Sequence, residues 1–258
     1  MSTAVDHDVG TQQAVAWRVY GIVPGDAELP ALPDGEGGLK SRTLELLGHQ
    51  KIAAVIEPID PERRAGRRDL LAHSELLSAL VQDVPVIPVA FGSAFAGRLQ
   101  VVEELLVPQY VQLTSMLDDL ADYVELLLRV RYSMDDLLAE IVASDAGIAA
   151  LRNRTRDLPA GVDHGEKVRL GELVSRAVED RMTVDTEWLT SQLAAQSVEV
   201  HLNGRSPSTP SMTLAFLVRR DQQHAFEEIA EACAEQMQNR AGLELQGPLA
   251  AFDFLPEG

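Results

Sequence analysis

The spacing of apolar residues changes along the chain between the period of a strand and the period of a helix. Each change marks the boundary of a predicted element. Short runs rich in β-branched and aromatic residues predict strands. Runs whose apolar residues recur every three or four positions predict helices, such as the helix that carries Leu70, Leu77 and Leu80. Residues 133–196 are helical in preference throughout most of their length. The predicted strands cover residues 15–23, 51–58, 84–91, 122–132, 197–202 and 212–218.

The grouping of these elements predicts two α+β units, each a sheet covered by helices, rather than one large parallel sheet. We place the first unit at residues 15–132, connecting helices at 133–196, and the second unit with its tail at 197–258. In the strand predicted over residues 84–91, Pro85 and Pro88 each remove a backbone donor. That strand is therefore expected at a sheet edge or a bulge.

The charge balance argues against a nucleic-acid partner. The 258 residues contain 22 Lys and Arg against 40 Asp and Glu, a formal net charge of -18, which repels phosphate backbones and anionic lipids. The largest basic cluster has no interleaved aromatic residues for stacking on bases, so we interpret it as a solvated face that could salt-bridge an acidic neighbour. It consists of Arg63, Arg64, Arg67 and Arg68.

Compartment signals favour a cytoplasmic protein. The first residues lack both a basic segment and an apolar run, so no secretory signal is expected. No stretch approaches the roughly 20 apolar residues that span a bilayer, so no membrane contact is expected. Cys233 is the single cysteine, which excludes an internal disulfide and suits a reducing compartment. It shares an apolar helix stripe with Phe226, Ile229 and Met237, which predicts a buried, chemically quiet thiol.

Motifs for catalysis or metal binding fail on their chemistry. The glycine-containing segment 92–99 has Arg98 and Leu99 where a phosphate-binding loop needs Lys and Ser or Thr. His73 and Glu75 lie two apart on a predicted helix and point in different directions, which favours a surface position over a metal site. We therefore predict no catalytic residues, no metal and no cofactor.

Several segments follow one another along the chain: Tyr20-Gly21-Ile22-Val23, residues 51–56, His73 with the helix to Val81, Pro88-Val89-Ala90-Phe91-Gly92, Tyr123-Val124-Glu125-Leu126, Arg129-Val130, residues 214–218, the helix that carries Phe226, and residues 247–254. Taken in this order, they resemble the GvpF/GvpL family of gas vesicle proteins. One is similar to the family block Pro-x-Arg-Phe-Gly, which here has Ala90 in place of the arginine. The closing segment keeps Gly247-Pro248 and two aromatic residues, but lacks the tryptophan and the two later prolines that are common in the family.

This resemblance implies two modified ferredoxin-like domains and a minor, non-enzymatic component of the gas vesicle. It implies that the chain binds GvpA, the hydrophobic shell protein, in the cytoplasm and prevents its aggregation during nucleation and assembly. It also implies partner binding in the first unit, where the apolar edge strand supplies the candidate anchors. These are Val86, Ile87, Val89 and Phe91. The alternative is a small-molecule-binding or enzymatic α+β domain, because such folds carry many functions.

Overall fold

Two antiparallel sheets organise the chain, which divides into two units between Ala121 and Asp122. The computed structural model describes residues 15–32, 38–156, 164–206 and 209–255. Among them, no helix is both long enough and apolar enough to cross a membrane. The α+β class predicted from the sequence is confirmed.

The first unit is built around β1, whose residues are almost all buried because the strand lies between two neighbours. Its sheet has the order β2-β3-β1-β4, with β5 also paired to β1. Gly21 lets α1 and β4 approach this strand, since a Cβ there would lie 3.1 Å from a Leu77 methyl and 3.0 Å from the Ile87 carbonyl oxygen. The elements are β1 Ala16–Pro24, β2 Glu45–His49, β3 Ile52–Ile59, α1 Arg67–Asp83, β4 Ile87–Pro88, β5 Ala94–Phe95, α2 Arg98–Gln100 with a π-helix over Val101–Leu106, and α3 Tyr110–Leu120.

The second unit places its core between one sheet face and its helices. Leu126, Leu128 and Val130 of the central strand β6 pack with Phe216 and Phe226 in this core. The sheet has the order β7-β8-β6-β9. The elements are β6 Tyr123–Tyr132, α4 Met134–Ser144, α5 Ala146–Arg156, α6 His164–Leu193, β7 Glu199–Ser206, β8 Ser211–Arg219, α7 Gln223–Met237 and β9 Ala241–Leu249.

Both units connect their strands in the same order. In each sheet the third strand lies between the second and the first, and the fourth lies on the other side of the first. In the second unit the intervening helices complete the β-α-β-β-α-β pattern of ferredoxin-like domains. In the first unit, the described residues between β1 and β2 form only a short 3₁₀ helix, Leu39–Ser41, so the pattern is a modified one.

The predicted division at Tyr132 differs from the structure. The strand that we assigned to the end of the first unit is β6, which pairs with β8 and β9 in the second sheet. The helices assigned as connectors also supply Leu137, Ile148 and Met182 to the core of the second unit. Strand pattern alone did not reveal these partners, because the pairing joins residues that lie between 80 positions (Arg131 and Ser211) and 124 positions (Glu125 and Leu249) apart.

Candidate binding surface of the first unit

The four predicted anchor residues lie in different environments. Val86 and Ile87 are 2% and 5% exposed and fill the core, so in the folded chain they are not available to a partner. Val89 is partly buried, and its backbone N–H donates to the Tyr20 carbonyl oxygen at 3.0 Å. Phe91 is 37% exposed. The strand is the two-residue β4 at the edge of the sheet, and of the four anchors Phe91 is the most open to solvent.

An aromatic stack connects Phe91 to the core. The His73 ring lies 5.3 Å from the Tyr20 ring in a stacked arrangement, and Phe91 meets the same imidazole edge-on at 5.6 Å. His73 is therefore buried, and the surface position predicted for it is wrong. Burial lowers the pKa of His73, and the positive charge of Arg18 lowers it further. The imidazole is accordingly neutral near pH 7, which suits its place between two aromatic rings.

A buried ionic cluster fixes the start of α1 against the sheet. Arg18 and Arg42 both contact Asp69, at 3.2 and 3.0 Å, and both also contact Glu57. The Tyr20 hydroxyl donates to Glu57 at 2.7 Å. Because buried charges are costly unless they are paired, this mutual pairing is what allows four charged groups to sit at the edge of the core.

The cluster shifts the titration of its members. Burial alone would raise the pKa of Asp69, but the Gly66 N–H and the guanidinium groups of Arg42 and Arg18 hold it well below its ordinary value. Burial raises the pKa of Tyr20 to about 12, and its hydrogen bond to Glu57 contributes to the rise. The shifts follow from burial and from contacts inside the cluster, which joins β1, β3 and the start of α1.

Exposed apolar side chains recur along the segment that follows β4. We call the set formed by Phe91, Leu99, Val107 and Val111 the apolar surface segment. The last three are 67%, 49% and 80% exposed. Solitary exposed apolar residues are ordinary, and these four lie within 21 consecutive positions, which makes this segment a candidate contact surface.

The backbone that carries the apolar surface segment is anchored by buried residues and by contacts of Arg98. Val101 and Leu106 of the π-helix are fully buried. At the start of α2, the Arg98 guanidinium lies 5.1 Å from the centre of the Trp17 ring and contacts Glu45 at 2.9 Å. The π-helix ends with the Val107 N–H bonded to the Val102 carbonyl oxygen at 2.8 Å, immediately before Pro108. The exposed side chains are therefore presented by a fixed backbone.

The second unit has its own polar cluster and a buried cysteine. Asp185 accepts hydrogen bonds from the Tyr132 hydroxyl at 3.0 Å and from Arg240 at 2.7 Å. Burial raises the pKa of Tyr132, and the Asp185 carboxylate raises it further. Cys233 is buried in the apolar stripe of α7 as predicted, and burial raises the pKa of its thiol. A thiol that is buried and protonated is a poor nucleophile.

The described residues form clefts but no candidate metal centre. Within it, no group of three or more His, Cys, Asp or Glu residues could hold a metal ion. A cleft of about 610 Å³ in the first unit has Asp26, Lys51 and Asp118 on its walls. A second cleft, of about 540 Å³, lies among α4, α5 and α6 and is mainly apolar. Thr114 also lines the first cleft, and its hydroxyl donates to the Tyr110 carbonyl oxygen at 2.8 Å.

The strand orders and helix positions define an α+β protein of two units with related sheets. Comparison with known proteins identifies the family. The family described as "Gas vesicle synthesis protein GvpL/GvpF" matches residues 16–256, and the chain belongs to that family. The resemblance found in the sequence is thereby confirmed, and the chain stands among gas vesicle proteins.

Individual relatives agree with this assignment. The chain is 27% identical over 247 residues to "Gas vesicle protein F" of Streptomyces sp. (strain CB03234). The matched region covers 92% of this chain and 98% of that protein. The crystal structure of the gas vesicle protein GvpF from Anabaena sp. PCC7120 matches with a TM-score of 0.78 at 18% identity, over 94% of this chain and 99% of that one.

A second solved structure is similar over nearly the whole chain. GvpF from Microcystis aeruginosa matches with a TM-score of 0.71 at 20% identity, over 93% of this chain and 98% of that one. At these identities, the two crystal structures show that the fold is shared.

Proposed function

We propose that the chain is an accessory protein of gas vesicle assembly that binds the hydrophobic shell protein GvpA through its first unit. In this role it acts at the gas vesicle inside the cell, and it keeps the shell protein from aggregating before and during nucleation. The family membership supports involvement with gas vesicles. The finer statement rests on the surface of the first unit.

The observation that carries the proposal is the apolar surface segment. Its side chains are exposed on an anchored backbone, so a hydrophobic client can bury them without first reordering the protein. Burying apolar area stabilises a contact by about 25 cal/mol per Å² before the cost of association is subtracted. Phe91 belongs to this segment and to the anchors predicted from the sequence, whereas Val86 and Ile87 act by supporting the sheet beneath.

The strong negative charge explains how such a complex can stay in solution. A net charge of -18 opposes self-association, so a bound hydrophobic client is carried on a particle that repels other particles. In this proposal the apolar surface segment binds the client, and the charged remainder of the surface keeps the complex soluble.

A matched pair of double variants tests whether the apolar surface segment provides the binding. The variant Leu99→Asp with Val111→Asp places two charges on the apolar surface segment. The control, Val184→Asp with Val198→Asp, makes the same change at two side chains of the second unit that are 54% and 57% exposed. Each variant is co-expressed with GvpA, and the GvpA that stays soluble and co-purifies is measured.

The first variant is expected to lose most of the co-purifying GvpA, while the control keeps it. Circular dichroism and thermal unfolding of both variants show whether each remains folded. Equal retention of GvpA by both folded variants would remove the basis for the proposed surface. A small molecule that raises the unfolding temperature, in a chain that never retains GvpA, would instead support a ligand-binding domain.

A further inference from the structure

An arginine cluster stands apart from the acidic surface of the first unit. We call Arg63, Arg64, Arg67 and Arg68 the arginine patch. All four are exposed, in the turn before α1 and in its first residues. Arg63 contacts Asp69 at 2.5 Å. Within the described ranges, no carboxylate forms an ion pair with Arg64, Arg67 or Arg68.

The backbone under the arginine patch is fixed by its own hydrogen bonds. The Glu62 N–H donates to the Asp60 carboxylate at 2.9 Å, and the Arg63 N–H donates to the Asp60 carbonyl oxygen at 3.2 Å. The Gly66 N–H donates to the Asp69 carboxylate at 2.9 Å. Asp69 is buried in the ionic cluster, so the turn is attached to the core. A fixed backbone lowers the entropy that a partner must overcome on binding.

The local charge balance leaves the patch positive. Residues 60–69 contain four arginines against three carboxylates. Of these carboxylates, Asp69 is shared by Arg18 and Arg42 inside the cluster and also pairs with Arg63, so it offers little to Arg64, Arg67 and Arg68. In a chain with nearly twice as many acidic as basic residues, this is a distinct positive site.

We propose that the arginine patch binds an acidic segment of a partner protein. Guanidinium groups pair with carboxylates through two parallel hydrogen bonds, which favours this ligand on geometric grounds. Leu70, which is half exposed beside the patch, offers an apolar contact for the same segment. Nucleic acid fits less well, because a long polyanion also meets the field of a chain that carries -18.

The patch also predicts a stability signature that a purely structural role would not give. Like charges close together repel each other, so the unoccupied patch destabilises the fold slightly. Replacing Arg64 and Arg67, which form no ion pair with any residue that the structure describes, with glutamate relieves this repulsion. The unfolding temperature of such a variant should stay the same or rise, although the variant no longer binds.

The test uses the full chain and a fluorescent decapeptide of glutamate as the probe, followed by anisotropy at about 50 mM salt, where surface charges are weakly screened. The patch variant is Arg64→Glu with Arg67→Glu. The control is Arg169→Glu with Arg176→Glu, two exposed arginines of α6 that give the same change in net charge. A glutamine decapeptide reports binding that does not depend on charge.

The glutamate peptide is expected to bind the unmodified chain and the control alike. The patch variant should bind about tenfold more weakly, which corresponds to about 1.4 kcal/mol. Equal weakening in patch variant and control, or no binding by the unmodified chain, would overturn the proposal. So would tighter binding of a single-stranded deoxythymidine decamer than of the peptide. Because the Leu99→Asp with Val111→Asp variant should bind the peptide normally, this test is independent of the proposed shell-protein contact.

Discussion

The carboxylate of Glu125 accepts a hydrogen bond from the backbone N–H of Asp253 at 3.0 Å, although the two residues lie 128 positions apart. Leu126, Leu128 and Val130 of β6 point into the core. Glu125 is buried on the opposite face of the strand, because successive side chains alternate between faces. The Phe254 ring packs on His201 of β7 at 4.7 Å, and the Asp253 carboxylate accepts from Asn203. The closing segment of the chain is therefore fastened across the second sheet.

The burial of Glu125 predicts that the second unit loses stability as the pH rises. Burial raises the pKa of Glu125 to about 8, and the negative charge of Asp253 adds to the rise. A carboxyl with a raised pKa favours the folded state when it is protonated. Its contribution is complete below the ordinary pKa, 4.5, and is lost as the pH rises through about 8.

The variant Glu125→Gln keeps an acceptor for the Asp253 N–H and cannot ionise. Above pH 8 it should be more stable than the unmodified chain, by a few kcal/mol on the order of the pKa shift. Urea unfolding at pH 6 and pH 9 measures the difference. Glu235→Gln, at an exposed position of α7, is the control and should leave the pH dependence unchanged.

The ionic cluster of the first unit predicts the opposite pH dependence. Because its pKa is held low, Asp69 stabilises the fold at neutral pH, and this contribution is lost as acid protonates the carboxylate. The variant Asp69→Asn leaves Arg18 and Arg42 to share Glu57 alone. It should lower the free energy of unfolding by about 3 kcal/mol, the range for breaking a buried ion pair.

A surface variant of the same cluster provides the comparison. Arg63→Ala removes the exposed partner of Asp69, which retains its two buried arginines. Its cost should stay below about 1 kcal/mol, as for other exposed ion pairs. If both variants lost the same stability in urea unfolding, the cluster would not depend on its buried pairs.

Cys233 should resist modification in the native chain. Its thiol is 2% exposed, and burial raises its pKa, so little thiolate is available. A bulky thiol reagent should react at least tenfold faster in urea than in buffer, because opening of the unit limits the native reaction. Ala232→Cys with Cys233→Ala moves the thiol to the exposed neighbouring position, where labelling should be fast without urea.

The position of β6 predicts which fragments can fold. A fragment of residues 122–255 contains all four strands of the second sheet, whereas one that begins at Met134 lacks the central strand between β8 and β9. We expect the first to unfold cooperatively and the second to show no cooperative transition. Circular dichroism during heating compares them, and a cooperative transition in the shorter fragment would show that β6 is dispensable.

Local pattern was sufficient for most elements and for the family. The β1, β3, β6 and β8 strands and the Cys233 stripe follow from side-chain periodicity, which is set by immediate neighbours in sequence. Sheet partners depend on contacts distant in sequence, which explains the different position of the unit boundary.

Which residues of the candidate site are exposed could not be predicted from the sequence, for a related reason. Val86 and Phe91 both appear as apolar residues, but only the packing of α1 and β1 decides which of them is covered. The same packing buries His73 beneath Phe91. The strand β2 was missed because it is five residues long and contains Gly48, so its pattern is too short to recognise.

Hydrogen exchange on the chain bound to GvpA, compared with the chain alone, tests the central claim most directly. If the first unit binds the shell protein through the apolar surface segment, amides in residues 91–111 should exchange more slowly in the complex, and peptides of the second unit should be unchanged. Protection confined to the second unit, with residues 91–111 exchanging as in the free chain, would contradict the account.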